Sequence, residues 1–111
     1  MKDCLFCKII EGKLPCCKVY ENENILAFKD INPVAKEHVL IIPKIHIENT
    51  AQRKYLNILG ELLLSTNTIA QKLNIFDSGY RIINNKGKNA GQIVDHIHLH
   101  LIGGEPLKPI N

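Results

Sequence analysis

The sequence lacks any long apolar segment, any long run of like charge and any tryptophan. Its uninterrupted apolar stretches reach at most five residues, as from Val39 to Pro43, whereas a membrane-spanning helix needs about 20. No stretch carries five or more like charges and the net charge is only +3, so the dense basic patch of a non-specific nucleic-acid binder is missing. We therefore expect neither a membrane nor a nucleic acid as partner.

We expect no secretory signal, because charges at Asp3 and Lys8 interrupt the apolar residues of the N-terminal segment. We expect a cytoplasmic protein, and a disulfide framework is not expected in that compartment. Adjacent cysteines such as Cys16 and Cys17 rarely bridge each other, because the geometry is strained. The length of 111 residues predicts a single domain over residues 1–111.

Hydrophobic periodicity and turn residues predict two helices and five strands. A short helix is predicted over residues 3–11, and a long helix, capped by Asn49 or Thr50, is predicted to run to about Leu73. Strands are predicted at residues 18–21, 25–30, 38–42, 80–84 and 92–102. Because helices and strands do not alternate strictly, the class is α+β with an antiparallel sheet and one long helix across one face.

Three of the five histidines, His96, His98 and His100, alternate with aliphatic residues. On a strand such a pattern places the imidazoles on one face and the aliphatic side chains in the core. A solvated polar face that happens to use histidine is the plain alternative. A metal site and nucleophilic or acid–base catalysis are the two functional interpretations.

Clustered imidazoles suit phosphoryl or nucleotidyl transfer. Neighbouring imidazoles suppress one another's protonation, which keeps a neutral, nucleophilic nitrogen available. Catalysis at phosphorus depends mainly on positioning and charge stabilisation. The glycine-punctuated loop 84–91 directly precedes the histidines, and we expect its main-chain N–H groups to add phosphate donors.

The segment Cys4-Leu-Phe-Cys7 is half of a possible metal site. A Cys-x-x-Cys pair can place two thiolates on one ion, and histidine is the obvious source of the remaining ligands. The alternative is two small, partly buried residues on an amphipathic turn.

The segment from His96 to Ile102 resembles the H-φ-H-φ-H-φ-φ motif of the histidine triad (HIT) superfamily, where φ is apolar. Gly91-Gln92 and Gly103-Gly104, which flank it, resemble the Hint branch of histidine triad nucleotide-binding proteins. Segments 4–10, 27–33 and 38–46 extend the likeness over essentially the whole chain. The resemblance implies a five-stranded antiparallel sheet with one long and one short helix, extended across a homodimer with the long helix at the interface.

The same resemblance implies a hydrolase of purine nucleoside 5′-phosphoramidates or related nucleotidyl esters. His98 matches the nucleophile, which would form a covalent nucleotidyl-histidine and finally release an AMP-like or GMP-like product. His100 matches the histidine that contacts phosphate oxygens. His96 and His38 match the supporting histidines, although from the residues alone His38 is a strand-start residue at a turn.

The nucleotide-binding positions also follow from the resemblance. Asp30 matches the acid that accepts hydrogen bonds from both ribose hydroxyls; the alternative is a turn residue at a strand end. The positions that match the apolar base pocket, each of which fits an ordinary core equally well, are Leu5, Phe6, Ile9, Phe28 and Ile31. The positions on the phosphate and leaving-group side are Asn85, Gly91, Gln92 and Ile93.

Some relatives with an N-terminal Cys-x-x-Cys bind structural zinc. The matching ligands here are Cys4, Cys7, His46 and His96, a chemically sound Cys₂His₂ set. The resemblance thus implies Zn²⁺ and no organic cofactor. It also gives His96 two competing roles, as a zinc ligand and as a supporting member of the triad.

Ile93 departs from the Hint pattern, in which many relatives carry Ser or Thr. An isoleucine has no hydroxyl to offer the phosphate or the leaving group. This departure favours one alternative, a nucleotide-binding or interaction protein with vestigial catalysis. A dinucleoside polyphosphate hydrolase, from another branch of the superfamily, is the other alternative.

Overall fold

The computed structural model describes residues 3–110, which form one five-stranded antiparallel sheet with a short and a long helix. This architecture confirms the predicted α+β class. Two single 3₁₀ turns, Arg53–Tyr55 and Lys88–Ala90, complete the regular structure. The helices are α1 (Leu5–Ile10) and α2 (Leu56–Lys72), and the strands are β1 (Lys18–Glu21), β2 (Ile25–Lys29), β3 (Glu37–Pro43), β4 (Tyr80–Ile83) and β5 (Leu99–Gly103).

The strands lie in the order β1-β2-β3-β5-β4, so β3 and β5 occupy the middle of the sheet. Phe28 on β2 pairs with Leu40 on β3, and Leu40 pairs with His100 on β5. Because directly paired residues point to the same face, His100 lies on the same face as Phe28.

The two faces of the sheet bury different clusters. On one face α2 packs over aliphatic strand residues through Leu62, Ile69 and Ala70. On the other face α1 contributes Phe6 to a second cluster. The strand residues of the second cluster are Leu26, Phe28, Leu40 and Ile42. The triad histidines lie on the α1 side, where Phe6 contacts the rings of His96 and His98.

The long helix starts later than predicted. Asn49 caps a separate turn, because its Oδ1 accepts from the amide of Ala51 at 2.8 Å. The helix is entered through the 3₁₀ turn instead, and neither Gln52 nor Tyr55 caps it with a side chain. Leu63 on this helix is 54% exposed, whereas its neighbour Leu62 is buried. Within residues 3–110 no helix is both long and apolar enough to cross a membrane.

The last strand is also shorter than predicted. It covers only Leu99–Gly103, so His96 and His98 precede it. The ladder with β3 stops because Pro43 has no N–H to donate and its carbonyl accepts from the Nε2–H of His96 at 2.9 Å. The alternation nevertheless continues outside the strand, since Ile97, Leu99 and Leu101 all lie in the α2-side core.

Candidate functional site

His98 is held by a main-chain carbonyl. Its Nδ1 lies 2.9 Å from the carbonyl oxygen of His96. A carbonyl only accepts, so Nδ1 donates and the neutral ring keeps its lone pair on Nε2. The ring packs edge-on against Phe6, with centroids 5.0 Å apart, and is 8% exposed. The geometry therefore presents one fixed, unprotonated nitrogen.

His38 and His100 form a hydrogen-bonded pair beside it. The amide of Val34 donates to His38 Nδ1 at 3.1 Å, so the proton of the neutral His38 ring sits on Nε2. That Nε2–H faces His100 Nδ1 at 2.9 Å and Asp30 Oδ2 at 3.3 Å. His100 Nδ1 is then an acceptor, which leaves an N–H at His100 Nε2.

Burial keeps these two rings neutral at pH 7. Desolvation lowers the pKa of His38, and the carboxylate of Asp30 only partly opposes it. Desolvation also lowers the pKa of His100, with the nearby His98 and His38 acting in the same direction. The rings of His98 and His100 have centroids 5.3 Å apart. His98 Nε2, the ring nitrogen that the His96 carbonyl does not engage, and the neutral N–H donor of His100 thus stand side by side.

The donor atoms of Asp30, His38 and His100 lie within 4.8 Å of one another, close enough for a metal ion. However, the amide of Val34 donates to His38 Nδ1, so the proton of the neutral ring sits on Nε2. An ion could bind this nitrogen only by displacing that proton. The arrangement therefore favours a hydrogen-bond relay over a metal centre.

A cavity of about 300 Å³ opens next to the histidines. Every predicted base-pocket residue lines it, together with Asp30. The Oδ1 of Asp30 accepts from the amide of Asn32 at 2.8 Å. An apolar cavity with a few polar groups is typical of ligand sites. The lining residues are Leu5, Phe6, Ile9, Cys16, Cys17, Phe28, Lys29, Asp30, Ile31 and Leu40.

The loop before the triad is held together by its own hydrogen bonds. Gln92 accepts at Oε1 from the amide of Gly87 at 2.7 Å and donates from Nε2 to the carbonyl of Val94 at 3.0 Å. The amides of Ala90, Gly91 and Gln92 also donate within the loop. The amides of Gly87, Ala90, Gly91 and Gln92 are therefore occupied, so the expected phosphate donors would have to be other amides of the loop.

The remaining predicted loop residues differ in exposure. Asn85 is half-buried, Gly91 is exposed, and the side chain of Ile93 is 93% exposed. Gly91 has φ +84°, a left-handed conformation that favours glycine. Ile93 has no polar group in its side chain to anchor it.

Cys4, Cys7, His46 and His96 converge on a second centre, with donor atoms within 4.8 Å of one another. Individual separations are 3.3 Å from Cys4 Sγ to His96 Nδ1, 3.4 Å from Cys7 Sγ to His46 Nδ1 and 3.7 Å from Cys7 Sγ to His96 Nδ1. On a tetrahedral zinc ion, sulfur and nitrogen ligands lie about 3.6 Å apart, as Zn–S and Zn–N distances of about 2.3 and 2.0 Å require. The donors fit zinc in both type and spacing.

His96 is committed to this centre. Its Nε2–H donates to the carbonyl of Pro43, so the lone pair on Nδ1 points at the two sulfurs. Burial lowers the pKa of His96 to about 4, which keeps the ring in its ligating form. Burial and the neighbouring Cys4 raise the pKa of the Cys7 thiol. Through its carbonyl, His96 also orients His98.

Comparison with known proteins decides the family. The family model described as the HIT domain matches residues 11–107. The chain belongs to the HIT domain family. A HIT family hydrolase from Clostridium thermocellum has the same fold, with a TM-score of 0.93 and 46% identity over 98% of this chain and 96% of that one.

Two further relatives have names that bear on function. The purine nucleoside phosphoramidase of Escherichia coli K12 is 40% identical over 111 residues, which cover 98% of this chain and 93% of the relative. The 14 kDa zinc-binding protein of Zea mays is 43% identical over 107 residues, which cover 93% and 83%.

The structure adds groups that the sequence did not single out. The carbonyls of His96 and Pro43 and the amide of Val34 determine which ring nitrogens carry protons. Main-chain groups leave no residue-type signal, so sequence patterns cannot reveal them. Leu40 and Lys29 join the cavity because of the β2–β3 pairing, which the predicted strand order alone did not specify.

Proposed function

We propose that the protein is a nucleotide-binding HIT hydrolase that cleaves purine nucleoside 5′-phosphoramidates or related nucleotidyl esters. The observation that carries the proposal is the fixed protonation pattern of the histidine row. His98 exposes an unprotonated Nε2, while His100 offers an N–H beside it. Nucleophilic attack needs the former and a charge-bearing phosphoryl group needs the latter.

In the proposed reaction, His98 Nε2 attacks the α-phosphorus and the bond to the leaving amine breaks. The His100 Nε2–H donates to a phosphoryl oxygen, and its direction is maintained by His38 and Asp30. Water then attacks the nucleotidyl-histidine, which frees His98 and releases the nucleoside monophosphate. Splitting the reaction in this way replaces one difficult step by two easier ones.

The cavity supports a nucleoside as the bound group. The base would pack between the apolar walls around Phe6, Phe28 and Ile31. Asp30 lies at the same cavity with its Oδ2 near His38, and a carboxylate there can accept from vicinal hydroxyls. The ribose would thus bridge the base cavity and the histidine row.

A direct test compares substrates and looks for the intermediate. An adenosine 5′-phosphoramidate and a diadenosine polyphosphate are offered to the purified protein, and AMP release and nucleotidyl-protein are measured by rapid quench and mass spectrometry. Faster phosphoramidate turnover with a labelled His98 peptide supports the proposal. Faster polyphosphate turnover would identify the other branch of the superfamily as the better assignment.

The role of Asp30 has its own test. Replacing Asp30 by Asn removes the charged acceptor but keeps the shape. We expect the wild type to bind AMP more tightly than its 2′,3′-dideoxy analogue, by roughly tenfold or more for two charge-assisted hydrogen bonds. The preference should shrink in Asp30→Asn. An equal preference in both proteins would remove Asp30 from the ribose site.

Vestigial catalysis is a second candidate, favoured by one observation. Ile93 projects into solvent without a hydroxyl on the phosphate side, 93% exposed. Under this alternative AMP binds, but neither a burst nor a nucleotidyl-histidine is formed. The rapid-quench measurement distinguishes the two.

We propose Zn²⁺ as the occupant of the Cys₂His₂ centre. The support is the donor set, its spacing and the lone-pair direction of His96. The ion would tie α1 to the segments that carry His46 and His96. Its chemistry there is structural, since four protein ligands leave no open position.

We also propose a homodimer formed through α2. Leu56, Leu63 and Leu64 are 69%, 54% and 68% exposed on the helix face away from the sheet. A Cβ added at Gly60 would meet nothing within 4 Å, so the fold of one protomer does not need that glycine. A second copy packed closely on this face explains both features. Light scattering of wild type and Leu64→Lys tests it, the variant being expected to dissociate.

A further inference from the structure

Cys16 and Cys17 take part in neither the proposed hydrolysis nor the metal centre. Cys16 is half-buried and packs against the apolar cluster on the α1 side, and Cys17 is exposed. Both line the cavity of about 300 Å³ that also contains Phe28 and Asp30. Two thiols thus form part of the wall of the proposed nucleoside pocket.

The position of the pair is fixed by the sheet. The carbonyl of Cys17 accepts from the amide of Lys29 at 2.9 Å, and Lys18 pairs with Phe28 in the β1–β2 ladder. The main chain at Cys17 therefore cannot leave the edge of the cavity without breaking these bonds.

Accessibility separates this pair from the other two cysteines. Cys4 and Cys7 are each only 7% exposed and lie against His96, whereas Cys17 is open to solvent. All four cysteines are free thiols, and a bridge between adjacent residues is strained. A reagent from solvent should therefore meet Cys17 first, because thiol modification follows exposure.

We propose that the Cys16–Cys17 pair is an S-thiolation site, entered at Cys17, and that a low-molecular-weight disulfide bound there closes the nucleoside cavity. The effect on activity depends on the proposed nucleotide binding. The group attached to Cys17 is a small thiol such as glutathione, which is transferred from its disulfide.

The reaction is a thiol–disulfide exchange. The Cys17 thiolate attacks one sulfur of glutathione disulfide, the new S–S bond forms, the old one breaks, and one glutathione leaves as thiolate. Cys17 is oxidised and half of the disulfide is reduced. A cavity of about 300 Å³ is at the small end of ligand sites, so a peptide-sized adduct on its wall competes with a base.

The test treats wild type, Cys17→Ser and the matched neighbour Cys16→Ser with glutathione disulfide. Peptide mapping locates the adduct, and AMP affinity is measured for each protein before and after treatment and after dithiothreitol. We expect the adduct on Cys17 in wild type and in Cys16→Ser, with affinity lost by roughly tenfold or more, about 1.4 kcal/mol, and restored by reduction. Cys17→Ser should keep its own untreated affinity.

An adduct only on Cys4 or Cys7, or an equal loss of affinity in Cys17→Ser, overturns the proposal. So does a mapped Cys17 adduct that leaves AMP affinity unchanged. Untreated wild type that fails to bind AMP refutes the nucleotide-binding proposal instead. In that case the amide NMR shifts of Phe28 and Ile31 on thiolation still report whether the cavity is filled, and no shift there overturns the closure.

Discussion

The molecule contains two histidine clusters on the same side of one sheet, and their protons are arranged in opposite ways. At the Cys₂His₂ centre, the Pro43 carbonyl accepts a hydrogen bond from the Nε2–H of His96, which leaves the Nδ1 lone pair facing the sulfurs. At the Asp30–His38–His100 centre, the Val34 amide occupies His38 Nδ1 and leaves a proton facing the other donors. The first cluster suits a cation and the second suits a hydrogen-bond relay.

The difference shows that main-chain partners decide what an imidazole can do. Burial lowers the pKa of His96 in the first cluster and of His38 and His100 in the second. Burial alone therefore does not distinguish the two clusters. The tautomer does, since a ligand nitrogen must be unprotonated. His98 joins the comparison as a third case, in which the His96 carbonyl leaves Nε2 free.

The largest effect should follow from removing the free Nε2 of His98, the proposed nucleophile. His98→Asn is expected to lower kcat by about 10³-fold or more, as loss of a nucleophile does, because no other described ring presents an unprotonated nitrogen beside His100. AMP binding should persist, since the cavity and Asp30 are untouched. Steady-state turnover and AMP titration measure the two. Normal turnover in this variant would contradict the nucleophile assignment.

The next effect concerns the metal cluster and stability. Cys7→Ser should remove a ligand and lower the free energy of unfolding of the zinc-loaded protein by about 3 kcal/mol, or roughly 10–20 °C in Tm. Cys17→Ser, a matched change of an exposed thiol, should leave Tm nearly unchanged. Metal content by mass spectrometry and thermal unfolding give the readout. A chelator that leaves the wild-type Tm unchanged would rule out structural zinc.

A smaller, graded effect is expected from pH. In the unfolded chain the histidines titrate near 6.5, whereas burial lowers the folded pKa of His38, His96 and His100. Below 6.5 the unfolded state therefore binds more protons, and stability falls with falling pH. His96 alone, with a pKa of about 4, should cost up to about 1.4 kcal/mol per pH unit. The loss is absent above the unfolded pKa.

Urea unfolding of chelator-treated protein at pH 7.5, 6.5 and 5.5 measures how the free energy of unfolding depends on pH. These values lie above the pH range in which most carboxylates titrate. The expected curve falls only slightly between the two higher values, where the unfolded histidines begin to protonate, and more steeply between pH 6.5 and 5.5. Stability that is unchanged or greater at pH 5.5 would mean that these rings are not neutral in the folded protein.

Much of the site followed from side-chain patterns. The alternation of His96, His98 and His100 with aliphatic residues predicted which side chains enter the core, because every second residue meets α2. The pattern did not predict where β5 begins, since that depends on Pro43 lacking a donor. It also left the role of His96 open, because the deciding partner is a distant carbonyl.

Local hydrogen bonds explain two other differences from the prediction. Asn49 was a reasonable helix cap by residue type, yet its oxygen is engaged by Ala51 in a local turn. The loop before the triad was expected to offer amides to phosphate, yet Gln92 and neighbouring carbonyls occupy those of Gly87, Ala90 and Gly91. Residue type predicts which groups can bind, whereas the hydrogen bonds of the folded chain decide which remain free.

The smallest effect on activity is expected from Ile93, at the proposed phosphate side of the site. A substitution there should change turnover without changing stability. Ile93 is 93% exposed, so Ile93→Ser should change the free energy of unfolding by no more than about 0.5 kcal/mol. A serine hydroxyl there would add one donor to the leaving-group side, and a single hydrogen bond is worth about 1 kcal/mol, or up to roughly tenfold in kcat. Turnover of an adenosine phosphoramidate by both proteins measures it, with Ile93→Val as the matched apolar control. A gain shared by the valine variant would assign the effect to side-chain size, and an unchanged rate in both would place Ile93 outside the reaction.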